Sequence, residues 1–132
     1  AFAAILGDGS VVTWGDCGGD SSSVQNHLRN VQQVQRTRFA FAAILSNRSV
    51  ITWGNPDEGG DSSFVQDKLR NVEQVQATDT AFAAILSDGS VVTWGDPNHG
   101  GDSSSIQDQL RNVRCVQGTY QAFAAILDDR SV

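Results

Sequence analysis

The sequence predicts a mainly β repeat protein with one short helix in each unit of about 41 residues, its copies stacked on one another rather than folding alone. Three observations predict it. The phrase Ala-Phe-Ala-Ala-Ile-Leu opens at Ala1, Ala40, Ala81 and Ala122, so the starts fall 39, 41 and 41 residues apart. Within each copy, short apolar runs of strand length alternate with turn residues. The one length difference is confined to a single place. Copy one lacks two residues between Trp14 and Gly18-Gly19, where the others carry Asn55-Pro56-Asp57-Glu58 and Asp96-Pro97-Asn98-His99. Loops tolerate such changes and strands do not, so that place is a surface loop.

The 132 residues read as one domain, with copies at 1–39, 40–80 and 81–121 and a partial fourth at 122–132. There is no Met, the first residue opens a copy and the last falls inside another, so the expectation is a segment of a longer array.

Phe82-Ala83-Ala84-Ile85-Leu86 is a short apolar run that predicts a strand buried on both faces. Asp88-Gly89 predicts a type I′ hairpin turn, which needs positive φ. Copy one has Asp8-Gly9 there, copy two Asn47-Arg48 and copy four Asp129-Arg130. Arg in the Gly place predicts either another turn type or a strain of about 1 kcal/mol. Val91-Val92-Thr93-Trp94 follows as a second strand, β-branched and aromatic.

Next comes the predicted helix. Ser22 with Gln25, Ser63 with Gln66 and Ser104 with Gln107 have capping-box spacing. Val24, Leu28 and Val31, then Val65, Leu69 and Val72, then Ile106, Leu110 and Val113, form one apolar stripe per copy. Asn30, Asn71 and Asn112 suit a left-handed helix stop. A third strand is predicted around Val75-Gln76-Ala77-Thr78. The unit is strand, strand, short helix, strand. The copies are expected to form an arc of propeller-like blades or an open solenoid, with a threefold β-trefoil-like closure as the alternative.

Bulk composition excludes several classes. A 39% hydrophobic and 18% charged composition is neither disordered nor membranous. No apolar run nears the ~20 residues of a membrane-spanning helix. A net charge of −6 with scattered Lys and Arg argues against nucleic acid as partner. Cys17 and Cys115 fall at different places in their copies, which argues against a repeated disulfide.

The stretch from Val75 to Leu86 and then Asp88-Gly89-Ser90-Val91-Val92-Thr93-Trp94-Gly95 resembles the regulator-of-chromosome-condensation repeat. The likeness recurs in every copy, and it implies blades like those of a seven-bladed propeller. Ala40, Ala81 and Ala122 stand where that family has His, and Gly59–Ser62 and Gly100–Ser103 replace its Gly-Gln-Leu-Gly loop. Near-identical arrays resemble algal repeat proteins described as ubiquitin-ligase-like. The resemblance thereby implies substrate recognition for such a ligase, or an accessory subunit of an algal photosynthetic supercomplex in the plastid.

No catalytic constellation is legible, and no cofactor is called for. His27 aligns with Lys68 and Gln109, and His99 with Glu58, so neither recurs as a catalytic base would. Metal ligation is not assigned; the candidates are Asn55, Asp57 and Asp61, and Asp96, Asn98 and Asp102, whose alternating oxygens around a Gly turn suit calcium. The same residues also serve as turn and helix-cap groups. Trp14, Trp53 and Trp94, each followed by Gly15, Gly54 or Gly95, recur at one strand position. They read as the surface that locks copy onto copy, or as an exposed ladder for carbohydrate or peptide. Asn47-Arg48-Ser49 matches a glycosylation sequon. The expected function is a non-catalytic protein–protein contact or scaffold module, its partner another protein or flanking repeats of the same chain. A small-ligand or carbohydrate-binding module is the alternative.

Overall fold

Side chains of a strand alternate between faces, so a strand apolar at every position must be covered on both sides. That condition organises this protein. The computed structural model describes all 132 residues, which form ten strands in chain order and no α-helix. They are β1 (Phe2–Ile5), β2 (Val11–Trp14), β3 (Val31–Arg36), β4 (Ala40–Leu45), β5 (Val50–Gly54), β6 (Val72–Ala77), β7 (Ala81–Leu86), β8 (Val91–Gly95), β9 (Val113–Gly118) and β10 (Phe123–Leu127). Four separate antiparallel sheets result: β1-β2, β3-β4-β5, β6-β7-β8 and β9-β10. None closes on itself.

The sheets straddle the copy boundaries. The third strand of one copy pairs with the first strand of the next, so each middle sheet is assembled from two copies. At the boundary, Ala40 N donates to Thr37 Oγ1 at 3.0 Å and Thr37 N donates to the Ala40 carbonyl at 2.9 Å. Thr78 and Ala81 repeat the arrangement.

Three apolar cores lie between successive sheets. The first gathers Val11, Leu28, Val31, Phe41, Ala43 and Trp53. The middle one gathers Ala40, Ala42, Ile44 and Val50 from one side, and Val75, Phe82, Ala84, Val92 and Trp94 from the other. The third contains Ala83, Ile85, Val91, Leu110, Val113 and Val116. In β4, Phe41 and Ala43 thus face one neighbour while Ala40, Ala42 and Ile44 face the other. Both middle strands are buried from their first residue through Ile44 and Ile85, whereas β1 and β10 are not. Each fully buried Phe or Val stabilises by roughly 1.5–3 kcal/mol, so the stack rests on these interleaved faces.

The predicted helix is replaced by turns. Only three-residue 3₁₀ segments occur, including Gln25–His27 and Ser104–Ile106. The stretch between Ser62 and Leu69 is far shorter than the ~12 residues at which a helix sustains itself, and its Gln side chain is spent elsewhere. Val31, Val72 and Val113, predicted as the end of the apolar stripe, instead open the third strand, which begins three residues earlier than Val75. Asn30, Asn71 and Asn112 do adopt positive φ, at 54°, 56° and 52°.

The hairpin turn also differs from type I′. Gly9, Arg48, Gly89 and Arg130 have positive φ, but the preceding Asp or Asn does not. Asn47 Oδ1 accepts from Ser49 N at 3.0 Å and from Ser49 Oγ at 2.7 Å. Such Asx turns hold the first residue at ordinary φ and leave only the second to turn left-handed. Arg48 N donates to Leu45 O at 2.9 Å, matching Gly9 N to Leu6 O and Gly89 N to Leu86 O, both at 2.9 Å. The Arg turns therefore keep the geometry of the Gly turns and carry the strain.

Candidate functional site

The two Pro-containing loops are closed by the residues that the sequence offers as calcium ligands. Asn55 Oδ1 accepts from Asp57 N at 3.0 Å and Asp61 Oδ1 from Ser63 N at 2.9 Å. Asp96 Oδ1 accepts from Asn98 N and Asp102 Oδ1 from Ser104 N, both at 2.9 Å. Hydrogen bonds from Ser63 hold the Asp61 carboxyl below its usual range, those from Ser104 do the same for Asp102, and the Asn98 amide does so for Asp96. No group of three or more His, Cys, Asp or Glu side chains converges to hold a metal. His99 Nδ1 meets Asp96 Oδ2 at 2.8 Å and Thr80 Oγ1 at 2.9 Å, fastening its loop to the turn before β7. Burial, and then the charge of Asp79, push the Glu58 carboxyl up. The thiols of Cys17 and Cys115 are both free.

Each loop is stapled to its sheet by a polar relay that sequence reasoning missed. Ser62 Oγ donates to Gln66 Oε1 at 2.8 Å, and Gln66 Nε2 donates to the Val50 carbonyl at 3.1 Å. Thr52 Oγ1 lies 2.9 Å from Ser62 Oγ. Ser21, Gln25 and Thr13 repeat the relay, as do Ser103, Gln107 and Thr93. The serine is one position earlier than the capping-box residue, and the Gln reaches a strand rather than its own turn. The available signal was the run of two or three adjacent serines in each of the three full copies, of which the first, Ser21 or Ser62, is buried in the first two.

The tryptophans divide by position in the stack. Trp53 and Trp94 are buried, at 2% and 5% exposure, while Trp14 is 51% exposed. Each stacks on the Phe of the adjacent strand: Phe2–Trp14 at 5.5 Å, Phe41–Trp53 and Phe82–Trp94 at 5.2 Å between ring centroids. The loop of the preceding copy covers the third pair. Trp94 Nε1 donates to Gly59 O at 3.1 Å, and a Cβ on Gly59 would sit 2.5 Å from Phe82 Cδ2. Trp53 Nε1 is buried without a partner. Its counterpart carbonyl belongs to the loop of copy one, which is two residues shorter. Gly54 and Gly95 follow at φ 106° and 105°, where a Cβ would come within 2.7 and 2.8 Å of the Cα of Ala40 and Ala81. Gly15, at φ 101°, approaches Ala1 in the same way. At all three, the missing side chain lets two backbone segments approach this closely.

What remains open is a sheet face. Phe2, Leu6, Val12 and Trp14 are exposed on the face of β1-β2 opposite Ala3 and Val11, which pack into the first core. At the other end, Ala124 and Ile126 of β10 are exposed, while Phe123, Ala125 and Leu127 pack into the third core. No helix is long and apolar enough to cross a membrane. Compared with known proteins, the chain matches no family model and no curated protein sequence.

Proposed function

We propose that this chain is a non-catalytic protein–protein contact module, built as an open stack of blade-like sheets whose end faces bind. The observation that supports it most is the contrast among equivalent residues. Phe82 and Trp94 are buried against the preceding sheet, while Phe2 and Trp14 carry the same aromatic pair, already stacked, on an uncovered face. An aromatic pair of that size costs little entropy to bury and contributes strongly to an interface. The exposed side chains of that face, Phe2, Leu6, Val12 and Trp14, are all apolar. That favours a protein surface over a carbohydrate or small metabolite, which is gripped in a concave site by placed donors and acceptors.

Within this reading the partner is a neighbouring protein or repeat unit. Recognition for a ubiquitin-ligase-like protein, or attachment to a photosynthetic assembly, remain the family-level versions of the same role. Sedimentation equilibrium of the isolated chain tests it. Concentration-dependent association that Trp14→Asp abolishes is the expected result. A stable monomer up to the limit of solubility, with no change on substituting Trp14, contradicts it.

A further inference from the structure

Between copies two and three runs a groove whose chemistry the repeat itself does not require. One wall comes from the loop at 56–65, and the other from the end of β8 and the loop at 96–101. Both walls hang from the two three-stranded sheets, away from either end of the stack. The groove encloses about 650 Å³. Four carboxylates line it, those of Asp57, Glu58, Asp61 and Asp96, and no Lys or Arg does. Phe64 lines it too, and at 93% it is the most exposed large apolar side chain of the protein.

The negative charge of the groove is not answered within the chain. The two ion pairs join Arg48 to Glu73 and His99 to Asp96, leaving Asp57, Glu58 and Asp61 without one. Asp61 Oδ1 and Asp96 Oδ1 close their own turns by accepting from Ser63 N and Asn98 N. Glu58 Oε2 is buried with no hydrogen-bond partner. Burial and then the charge of Asp79 hold the Glu58 carboxyl above its ordinary range, Arg38 offsets part of that, and Asp96 and Asp57 add to it. A carboxylate oxygen withdrawn from water and left unpaired is costly, so it gains from a cation brought to it. The other copies fold without these groups. Copy three has Asn98-His99 and Ser105 at the places of Asp57-Glu58 and Phe64, and copy one has Ser23 at the place of Phe64 in its shorter loop. The turn at the following Asp and the Ser–Gln bond of the relay form alike in all three.

We propose that this groove docks a basic segment of a partner protein, an extended peptide whose Arg or Lys side chain enters toward Asp57 and Glu58 and lies against Phe64. Opposite charge supplies the attraction, and the groove has no cation of its own to repel it. A cation over an aromatic ring is drawn to its face, and the alkyl stem of Arg or Lys covers apolar surface. A bare divalent ion fits less well, because no three acidic side chains converge on one point. This surface is separate from the β1-β2 face, so it stands whether or not that face binds.

The test is a nuclear magnetic resonance titration of the whole chain with a capped peptide of alternating Gly and Arg, beside the same peptide with Gln for Arg. The Arg peptide is expected to give saturating shifts in the amides of 57–65 and 94–101. The indole N–H of Trp94, bonded to the Gly59 carbonyl next to Glu58, is expected to shift with them. The Gln peptide is expected to give none. Phe64→Ser installs the residue that the other two copies carry, so the fold tolerates it, and binding is expected to weaken about two- to tenfold. Asp57→Asn combined with Glu58→Gln is expected to weaken it about tenfold or more. Asp108→Asn, an exposed carboxylate outside the groove, is expected to leave it unchanged. Shifts spread evenly over the acidic surface, affinity unaltered by Phe64→Ser and the double change, or equal binding of the Gln peptide overturns the proposal. So does the absence of any saturating shift up to the solubility limit of the peptide.

Discussion

The indole N–H of Trp94 donates to the carbonyl of Gly59 at 3.1 Å, joining a strand of one copy to the loop of the copy before it. Trp53 occupies the same place one copy earlier, equally buried, and its N–H has no acceptor. A buried unsatisfied donor costs about 1–3 kcal/mol, whereas a made bond contributes about 1. Trp94→Phe and Trp53→Phe lose similar volume, so their difference isolates the hydrogen bond. Chemical denaturation is expected to find Trp94→Phe less stable than Trp53→Phe by about 1–2 kcal/mol. Equal losses would mean that the two indoles are solvated alike.

Arg48 holds φ 65° in a hairpin where copies one and three use Gly. Arg48→Gly is expected to raise stability by about 1 kcal/mol, because Gly enters that region without a Cβ penalty. Its ion pair with Glu73, at 3.5 Å and half exposed on both sides, offsets only a few tenths of a kcal/mol. A destabilised Arg48→Gly chain in thermal unfolding would refute this account of the turn.

Gln66 carries the relay from Ser62 to the Val50 carbonyl. Gln66→Ala leaves the buried Ser62 hydroxyl short of a partner and frees the loop at 61–70. A loss of about 1–3 kcal/mol is expected, with faster amide exchange confined to that loop and β5. Gln66→Glu should not substitute, since a carboxylate cannot donate to Val50 O. Wild-type exchange in Gln66→Ala would argue against the relay.

Seven aspartates, Asp8, Asp20, Asp61, Asp88, Asp96, Asp102 and Asp129, titrate below their ordinary 3.8 in the folded chain. In six of them hydrogen bonds from the Ser two residues on are the main cause, and in Asp96 it is the Asn98 amide. A depressed folded pKa contributes stability that is present above the unfolded value and lost as pH falls through the folded one. Glu58, held above its ordinary 4.5 by burial and then Asp79, has the opposite sign: its contribution is present below 4.5 and lost as pH rises through its folded value. The midpoint of denaturation is thus expected to hold or rise slightly on acidification toward 4.5, then fall below 3.8. A decline beginning near neutral pH would contradict this assignment.

Much of the local structure was legible because it is set by neighbours in sequence. The apolar runs at Ala40 and Ala81, the Val-x-Thr-Trp strands and the left-handed asparagines at 30, 71 and 112 each follow from a few adjacent residues. The helix failed for a tertiary reason, since Gln25, Gln66 and Gln107 bond to strand carbonyls 14 or 16 positions upstream, where capping-box spacing looks the same. Phe2 and Phe82 head the same residues, Phe-Ala-Ala-Ile-Leu, yet one is 64% exposed and the other 0%. No local pattern distinguishes them. Position in the stack does, which is why the candidate site emerges only from the assembled sheets.

Trp14 tests the central claim most directly, because it lies on the face proposed to bind. In a chain carrying Trp53→Phe and Trp94→Phe, its fluorescence alone reports that face. As concentration rises, the account predicts that Trp14 emission shifts to the blue and that acrylamide quenches it less, in step with the appearance of larger species. Emission that stays red and freely quenched at every concentration, while larger species form, would show that the chains meet elsewhere.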